Sequence, residues 1–281
     1  MKFIQATDMP SSHDFALAGD THVGSLLCHY DGINQLIDWC SSKKDRYLGH
    51  MGDAIESILV DDKRFDRAAD RTLPLQQADK VISMFSPIAK KMKFILLGNH
   101  EQKLWRFGDL SQYMADGIGC PYGTYTSIVE VADKYGPIYR IFASHGFGVL
   151  KSNAKDAEQQ EGNMKASLKM KLKEKRGDCI VQALGHTHKL LVCPPVEKLY
   201  LYTDDNGKTK QGYLSADDST ARYIHPDRRW YANTGSFLKL YDDDLGVSGY
   251  AEQKGYDPVQ LGHIVIKVRD RKIISIDKVI L

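Results

Sequence analysis

Three short apolar runs each close on glycine followed by a polar residue: Phe15 to Asp20, Arg46 to Asp53, and Lys93 to His100. Between them the apolar residues shift to a helical spacing. Ile33, Leu36, Ile37 and Cys40 keep the i, i+3, i+4, i+7 pattern of a helix with one buried face, and Leu75, Ala78, Ile82, Phe85 and Ala89 repeat it. Pro87 is expected to interrupt the second helix, because it lacks an N–H and clashes with the preceding turn. Strand-like runs with almost no polar alternation, separated by amphipathic helices, constrain the chain to an α/β class with helices packed on sheet faces.

From Thr126 the pattern turns to β. The runs TSIVEV, IYRIFASHG and CIVQALGHTH are rich in β-branched and aromatic residues and bounded by Gly or Pro. One helix interrupts them, with Met164, Leu168 and Leu172 on its apolar stripe and Lys165, Lys169 and Lys173 on a parallel basic one. KLYLYT and KTKQGYL, joined by Asp204, Asp205, Asn206 and Gly207, read as a hairpin, and HIVIKV with KIISIDKVI as another. The dense mixture of charges from Asp61 to Arg71 reads as a solvated helix or loop. No internal repeat or Pro/Ser/Gly-rich linker divides the chain, so residues 1–281 are expected to form a single domain.

At 281 residues the chain can build a core without disulfides or a structural metal, so any metal is expected to serve chemistry. The five cysteines are odd in number, widely spaced and without a C-x-x-C pair, which argues for reduced, buried thiols. A formal net charge of +2 excludes a uniformly basic nucleic-acid-coating protein or an acidic disordered one. The N-terminus has no apolar signal core and no stretch approaches the ~18 apolar residues of a membrane span, so the expected location is cytoplasmic, with no membrane partner.

Five motifs place metal-ligating types of side chain at the ends of predicted strands. They are Asp20-Thr21-His22, Gly52-Asp53, Gly98-Asn99-His100-Glu101, His145-Gly146 and Gly185-His186-Thr187-His188. Strand ends face the crevice where open α/β sheets bind ligands. In D-x-H and H-x-H an extended backbone would send side chains i and i+2 to one side, so that both reach one cation. Carboxylate, amide and imidazole donors together suit Mn, Fe, Zn or Ni better than Ca or Mg. A G-x-S-x-G elbow and a Walker-type P-loop are both missing, which argues against an α/β-hydrolase and an NTPase.

D-x-H, GD, GNHE, HG and GHTH in this order resemble the calcineurin-like metallophosphoesterase superfamily, over about Phe15 to Leu240. The resemblance implies a four-layer α/β/β/α sandwich holding two divalent cations, manganese foremost, with iron, zinc or nickel as alternatives. It implies that Asp20, His22 and His188 ligate the first metal, that Asp53 bridges both, and that Asn99, His145 and His186 ligate the second. His100 would be the non-ligand histidine beside the leaving group. Many relatives have a second aspartate in G-D-x-x-D that orients this histidine; here Glu56 stands where it could do so with a longer reach. The implied activity is hydrolysis of phosphate monoesters or diesters by a metal-bridging hydroxide, as a phosphodiesterase or phosphatase. Specificity would come from cap-like insertions near 102–125, 151–177 and 189–228.

Other residues carry weaker readings. His50 sits at an odd offset from Asp53, which favours a structural role, and His13, His29, His225 and His263 match no motif. Arg106 reads as a surface salt bridge ahead of a phosphate clamp. The basic stripe on the Asn163 to Arg176 segment keeps a DNA or RNA nuclease as an alternative, although solvated lysines explain it more simply. Tyr200, Tyr202, Tyr213, Tyr223 and Tyr231 are expected to pack across strands. Asn233-Thr234-Gly235-Ser236 reads equally as a strand-entry turn or as support for the site. A non-catalytic metal-binding scaffold is the remaining alternative. The oligomeric state has no signature in the sequence.

Overall fold

The computed structural model describes residues 1–62, 65, 72–214, 219–242, 252 and 254–281. Most of the charged Asp61 to Arg71 segment lies outside the described residues. In chain order the strands are β1 (Lys2–Ala6), β2 (His13–Ala18), β3 (Arg46–His50), β4 (Met92–Ile95), β5 (Thr126–Asp133), β6 (Gly136–Ser144) and β7 (Val181–Leu184). They continue with β8 (Leu190–Cys193), β9 (Leu199–Thr203), β10 (Thr209–Tyr213), β11 (Trp230–Thr234), β12 (Gly262–Arg269) and β13 (Lys272–Ile280). The helices are α1 (Tyr30–Ser41), α2 (Pro74–Phe85), α3 (Asn99–Gln102), α4 (Leu110–Ile118) and α5 (Ala157–Leu172).

Two mixed sheets form the body. One has five strands in the order β13-β12-β2-β3-β4, the other six in the order β1-β5-β6-β7-β11-β8. Side-chain alternation explains why they stack. On β2, Phe15 and Leu17 face the second sheet and join Val129, Ile141, Val181 and Ala232 in the central core. Ala16 and Ala18 face the other way, beneath Ile33 and Leu36 of α1, Val81 and Phe85 of α2, and Met114 and Ile118 of α4. Leu168 and Leu172 of α5 cover Phe142, Leu184 and Tyr231 on the far side of the six-stranded sheet. The result is a four-layer α/β/β/α sandwich, and β2, buried on both faces, has no polar alternation for that reason. Truncating a fully buried residue between the sheets, such as Phe94, would cost about 3–5 kcal/mol.

Pro87 acts as its chemistry predicts: α2 ends at Phe85 and the chain continues as a 3-10 helix over Ser86–Lys91. The buried face of α2 differs from the expected one, because Leu75 is exposed while Gln77 is buried. Gln77 Oε1 accepts the Ser57 N–H at 3.0 Å, and its Nε2 donates to Thr72 O. A polar side chain thus goes inside because a loop backbone needs it. Strands β1, β8 and β11 escape the sequence patterns. In β1 only Ile4 and Ala6 are buried, and β11 is half polar yet lies inside the sheet between β7 and β8. All five cysteines are free and buried. Among the described residues no helix is long and apolar enough to cross a membrane.

Candidate metal centre

The C-terminal ends of β2, β3, β4, β6 and β7 converge on one side of the sandwich, and the five motifs follow them directly. The side chains gather in three overlapping groups: Asp20, His22 and His188; His22, Asp53 and His100; and Asp53, His145 and His186. Sharing of His22 and Asp53 makes this one continuous cluster. In the first group His22 Nε2 lies 3.2 Å from His188 Nε2, which is 3.3 Å from Asp20 Oδ1. In the third, His145 Nε2 and His186 Nδ1 lie 2.9 and 2.6 Å from Asn99 Oδ1. Asp53 Oδ2 is 3.3 Å from His145 Nε2.

Strand alternation is not what aims these side chains. β2 ends at Ala18 and β7 at Leu184, short of the ligands, and five of them lie in the left-handed region. Their φ values are 51° at Asp20, 48° at His22, 48° at Asp53, 67° at His186 and 54° at His188. The extended-backbone expectation for D-x-H and H-x-H therefore gives way to tight left-handed turns. Such turns cost non-glycine residues about 1–3 kcal/mol each, and they persist where surrounding bonds over-determine them. Here Asp20 N–H donates to Gly52 O at 2.9 Å, His22 N–H to Asp53 O at 3.1 Å, and His186 N–H to Asp20 Oδ2 at 3.0 Å. The glycines of the motifs permit close approach: a Cβ on Gly98 would stand 2.1 Å from both the amide nitrogen and Oδ1 of Asp53.

A further ring of residues fixes the imidazoles. His145 Nδ1 donates to Met51 O at 2.9 Å, and His22 Nδ1 meets Glu56 Oε2 at 2.7 Å. Both contacts turn Nε2 toward the cluster, the usual arrangement for a metal-ligating histidine. Glu56, expected to orient His100 through its side chain, meets His22 with its carboxylate and accepts from His100 Nδ1 with its backbone carbonyl. His100 Nε2 points to Asp53 Oδ2 at 4.0 Å. Glu101 had no assigned role in the sequence, although it ends the GNHE motif. Its carboxylate accepts from Ala54 N at 2.6 Å, Ile55 N at 3.0 Å and Gly98 N at 3.1 Å, stapling the loop after β3 to the loop after β4. The Asn233 to Ser236 segment supports the site as well. Asn233 Nδ2 donates to Thr187 Oγ1 at 2.7 Å, and Ser236 Oγ to Asp20 O at 3.0 Å.

Burial and charge pull against each other at His145, His22 and Asp53 and act together at Glu101. Burial depresses the His145 imidazole, but the Asp53 carboxylate outweighs it and raises the pKa to about 10. Glu56 does the same for His22, raised to about 9 against burial. Burial favours the protonated form of Asp53, yet His145 and His100 hold its carboxyl well below the usual range. Burial, reinforced by Asp53, lifts Glu101 to about 7. Asp20 Oδ1 is buried, makes no hydrogen bond of good geometry and has the His188 imidazole 3.3 Å away. A buried carboxylate is costly unless positive charge meets it, either a protonated imidazole or a cation in the proton's place. Donor separations of 3.2–3.3 Å around it also match the edge of a tetrahedron with the ~2.0–2.1 Å bonds typical of imidazole and carboxylate ligands. The residues present therefore fit divalent cations, whose binding would displace protons from the imidazoles.

The remaining candidates lie elsewhere. His50 Nε2 faces Thr21 Oγ1 at 3.1 Å, and burial pushes its imidazole down to about 4. His29 Nδ1 caps α1 by accepting from Gly32 N, and His13 and His263 stack on Tyr139 and Phe237. His225 Nδ1 accepts from Asp227 N. Arg106 is exposed, 3.9 Å from Asp61. On α5, Lys165 pairs with Glu161 at 3.0 Å. The tyrosines divide: Tyr231 packs in the core opposite Cys193 and the Tyr200 ring lies over Gly212 across the hairpin, while Tyr202, Tyr213 and Tyr223 are exposed.

Solved structures with similar folds are distant. The metallophosphoesterase of Sphaerobacter thermophilus is 12% identical with a TM-score of 0.39, covering 95% of this chain and 88% of that one. The NAD nucleotidase of Haemophilus influenzae is 13% identical with a TM-score of 0.38, over 96% of this chain and 50% of that one. The calcineurin-like phosphoesterase YfkN of Bacillus subtilis is 14% identical with a TM-score of 0.36, over 96% and 90%. At this distance they carry no argument about activity. No curated protein sequence matches significantly. The profile of the calcineurin-like phosphoesterase family matches residues 13–205, more than half of the chain and every motif described above, and the protein belongs to that family.

Proposed function

We propose that the protein is a dinuclear metal-dependent hydrolase of phosphate monoesters or diesters. The observation that carries this reading is the continuous cluster in which Asp53 neighbours both histidine groups, with Asp20 completing one of them. In this reading Asp20, His22 and His188 hold one cation, and Asn99, His145 and His186 the other. Asp53 serves both. Manganese is the cation proposed here, and the mixed carboxylate, amide and imidazole donors suit iron, zinc or nickel as well. The chemistry such cations supply when bound is acidification of a water molecule and neutralisation of charge on the phosphoryl oxygens.

The chain's own groups do the rest. The Glu56 carboxylate keeps the His22 ring turned inward, and the Met51 carbonyl does so for His145. His100, held at Nδ1 by the Glu56 carbonyl, presents Nε2 beside Asp53 and gives a proton to the departing oxygen. Residues 1–281 act as one domain in this proposal, with segments 102–125, 151–177 and 189–228 shaping access to the cluster.

The test uses chelated protein, reloaded with manganese and offered bis-p-nitrophenyl phosphate, p-nitrophenyl phosphate and single-stranded nucleic acid. Hydrolysis of at least one should return with metal and be lost with chelator. Full metal loading without hydrolysis of any of the three would support a binding scaffold and overturn the proposal.

A further inference from the structure

The β9–β10 ribbon buries neither of its faces. All five residues of β9 are exposed, Leu201 to 69%, and Tyr213 on β10 is exposed to 60%. A two-stranded hairpin of this kind is marginally stable alone. The β9 sequence, Leu-Tyr-Leu-Tyr-Thr, carries no charge, proline or glycine to discourage another strand from adding to it. β10, in contrast, holds Lys210 and Gly212 and follows Lys208.

Register shows which backbone groups are open. Asp204 N–H donates to Lys208 O, and Leu214 N–H to Lys198 O, both at 2.9 Å. With Tyr202 opposite Lys210 and Tyr200 opposite Gly212, the even-numbered residues of β9 exchange ladder bonds with β10. Bonded and non-bonded pairs alternate along an antiparallel ladder. The N–H and C=O groups of Leu199, Leu201 and Thr203 therefore point to the outer edge, and among the described residues no strand lies there.

We propose that this edge pairs with the same edge of a second copy of the chain, antiparallel about a twofold axis at Leu201. The product is a four-stranded sheet with two β9 strands at its centre. Three features of β9 select this register. Leu201 meets the partner's Leu201, and Leu199 meets the partner's Thr203, so every outward backbone group finds its complement. Tyr200 meets the partner's Tyr202 at the non-bonded positions, where side chains approach most closely. Lys198 meets the partner's Asp204, so unlike charges stand at both ends of an uncharged strand, added to the pairs they make within the chain with Asp227 at 3.2 Å and Lys210 at 3.9 Å. A parallel pairing would bring like charges together. Tyrosines then share one face and leucines the other, and the lysine-bearing β10 edges close the assembly as a dimer instead of a fibre.

Sedimentation velocity of the full chain from ~1 to ~100 µM tests this. The wild type should show a reversible species of twice the 31.7 kDa chain mass. Leu201→Pro removes an outward N–H and no bond to β10, and should raise the dimer dissociation constant at least about tenfold. Leu201→Lys, which sets like charges across the axis, should do the same, with the thermal unfolding of the body unchanged in both. Register is read by mixing Tyr200→Cys and Tyr202→Cys chains. Their Cα atoms would lie ~4.5 Å apart across the interface, so a cross-chain disulfide should form in the mixture and not in either variant alone. A wild type monomeric at ~100 µM, a dimer indifferent to both Leu201 changes, or equal cross-linking in the separate variants would each overturn the proposal.

Discussion

The two sheets bring different chemistry to one cluster. The five-stranded sheet and the loops after β2, β3 and β4 supply Asp20, His22, Asp53 and Asn99, including both carboxylates. The six-stranded sheet supplies His145, His186 and His188, and no carboxylate. Neither side holds a complete donor set, so the site exists only while the apolar layer between Phe15, Leu17, Ile141 and Val181 keeps the sheets in register. Both carboxylates sit on one wall, and the imidazole they raise most across the gap is His145 on the other. A cation bound between them would tie the sheets together, adding about 4 kcal/mol to stability at a thousandfold excess over its dissociation constant.

The largest effect should come from the acidic wall. Asp53→Asn removes the carboxylate that faces both histidine groups, and hydrolysis and bound metal should fall together. A loss of at least about 10²–10³-fold is expected, as for removal of other charge-stabilising groups. Full metal content and normal turnover would show that the two sides do not share Asp53.

His100→Ala sharpens the comparison by leaving the proposed ligands in place. It should retain its metal and lose about 10²–10⁴-fold in kcat, least for nitrophenolate leaving groups. Equal losses for good and poor leaving groups would remove the proton-donor role. Glu56→Gln loosens the His22 ring, and metal affinity on the Asp20 side should fall about 10–100-fold with smaller changes on the His145 side. Binding isotherms for the two cations check this.

The smallest effect lies away from the cluster, where β12 packs beneath α1. His263 stacks on Phe237, and burial pushes its imidazole down to about 4. The unfolded chain, at about 6.5, takes up the proton first. Stability from this residue is therefore whole above pH 6.5 and falls as the pH drops toward 4, by roughly 2 kcal/mol at pH 5. His263→Leu should flatten that part of the urea midpoint's pH dependence. An unaltered slope would show that another group dominates.

How much of this was legible in the sequence depends on the kind of information. FALAGD and KFILLGNH announced buried strands because a sheet covered on both faces needs no polar alternation, and the order of the motifs announced the site. The conformation of the site was not legible. Nothing in Asp20-Thr21-His22 signals left-handed turns, since Asp and His adopt them only when neighbours such as the Gly52 carbonyl hold them there. Gln77 carries no signal of its burial in the sequence, because its role depends on a loop amide 20 positions away. Glu101 could have been suspected, as a carboxylate three residues after Gly98 can reach back to its amide in the manner of a capping box. Its other partners, Ala54 and Ile55, belong to a distant loop that only the fold brings near.

The most direct test of a site assembled from both walls is the number of metal ions bound per chain, measured after equilibrium dialysis in the wild type, Asp20→Asn and His186→Ala. The account predicts two ions in the wild type. Asp20→Asn should lose the ion on its own side and keep the other, and His186→Ala should do the reverse. A wild type that binds fewer than two, or variants that both keep two, would contradict it.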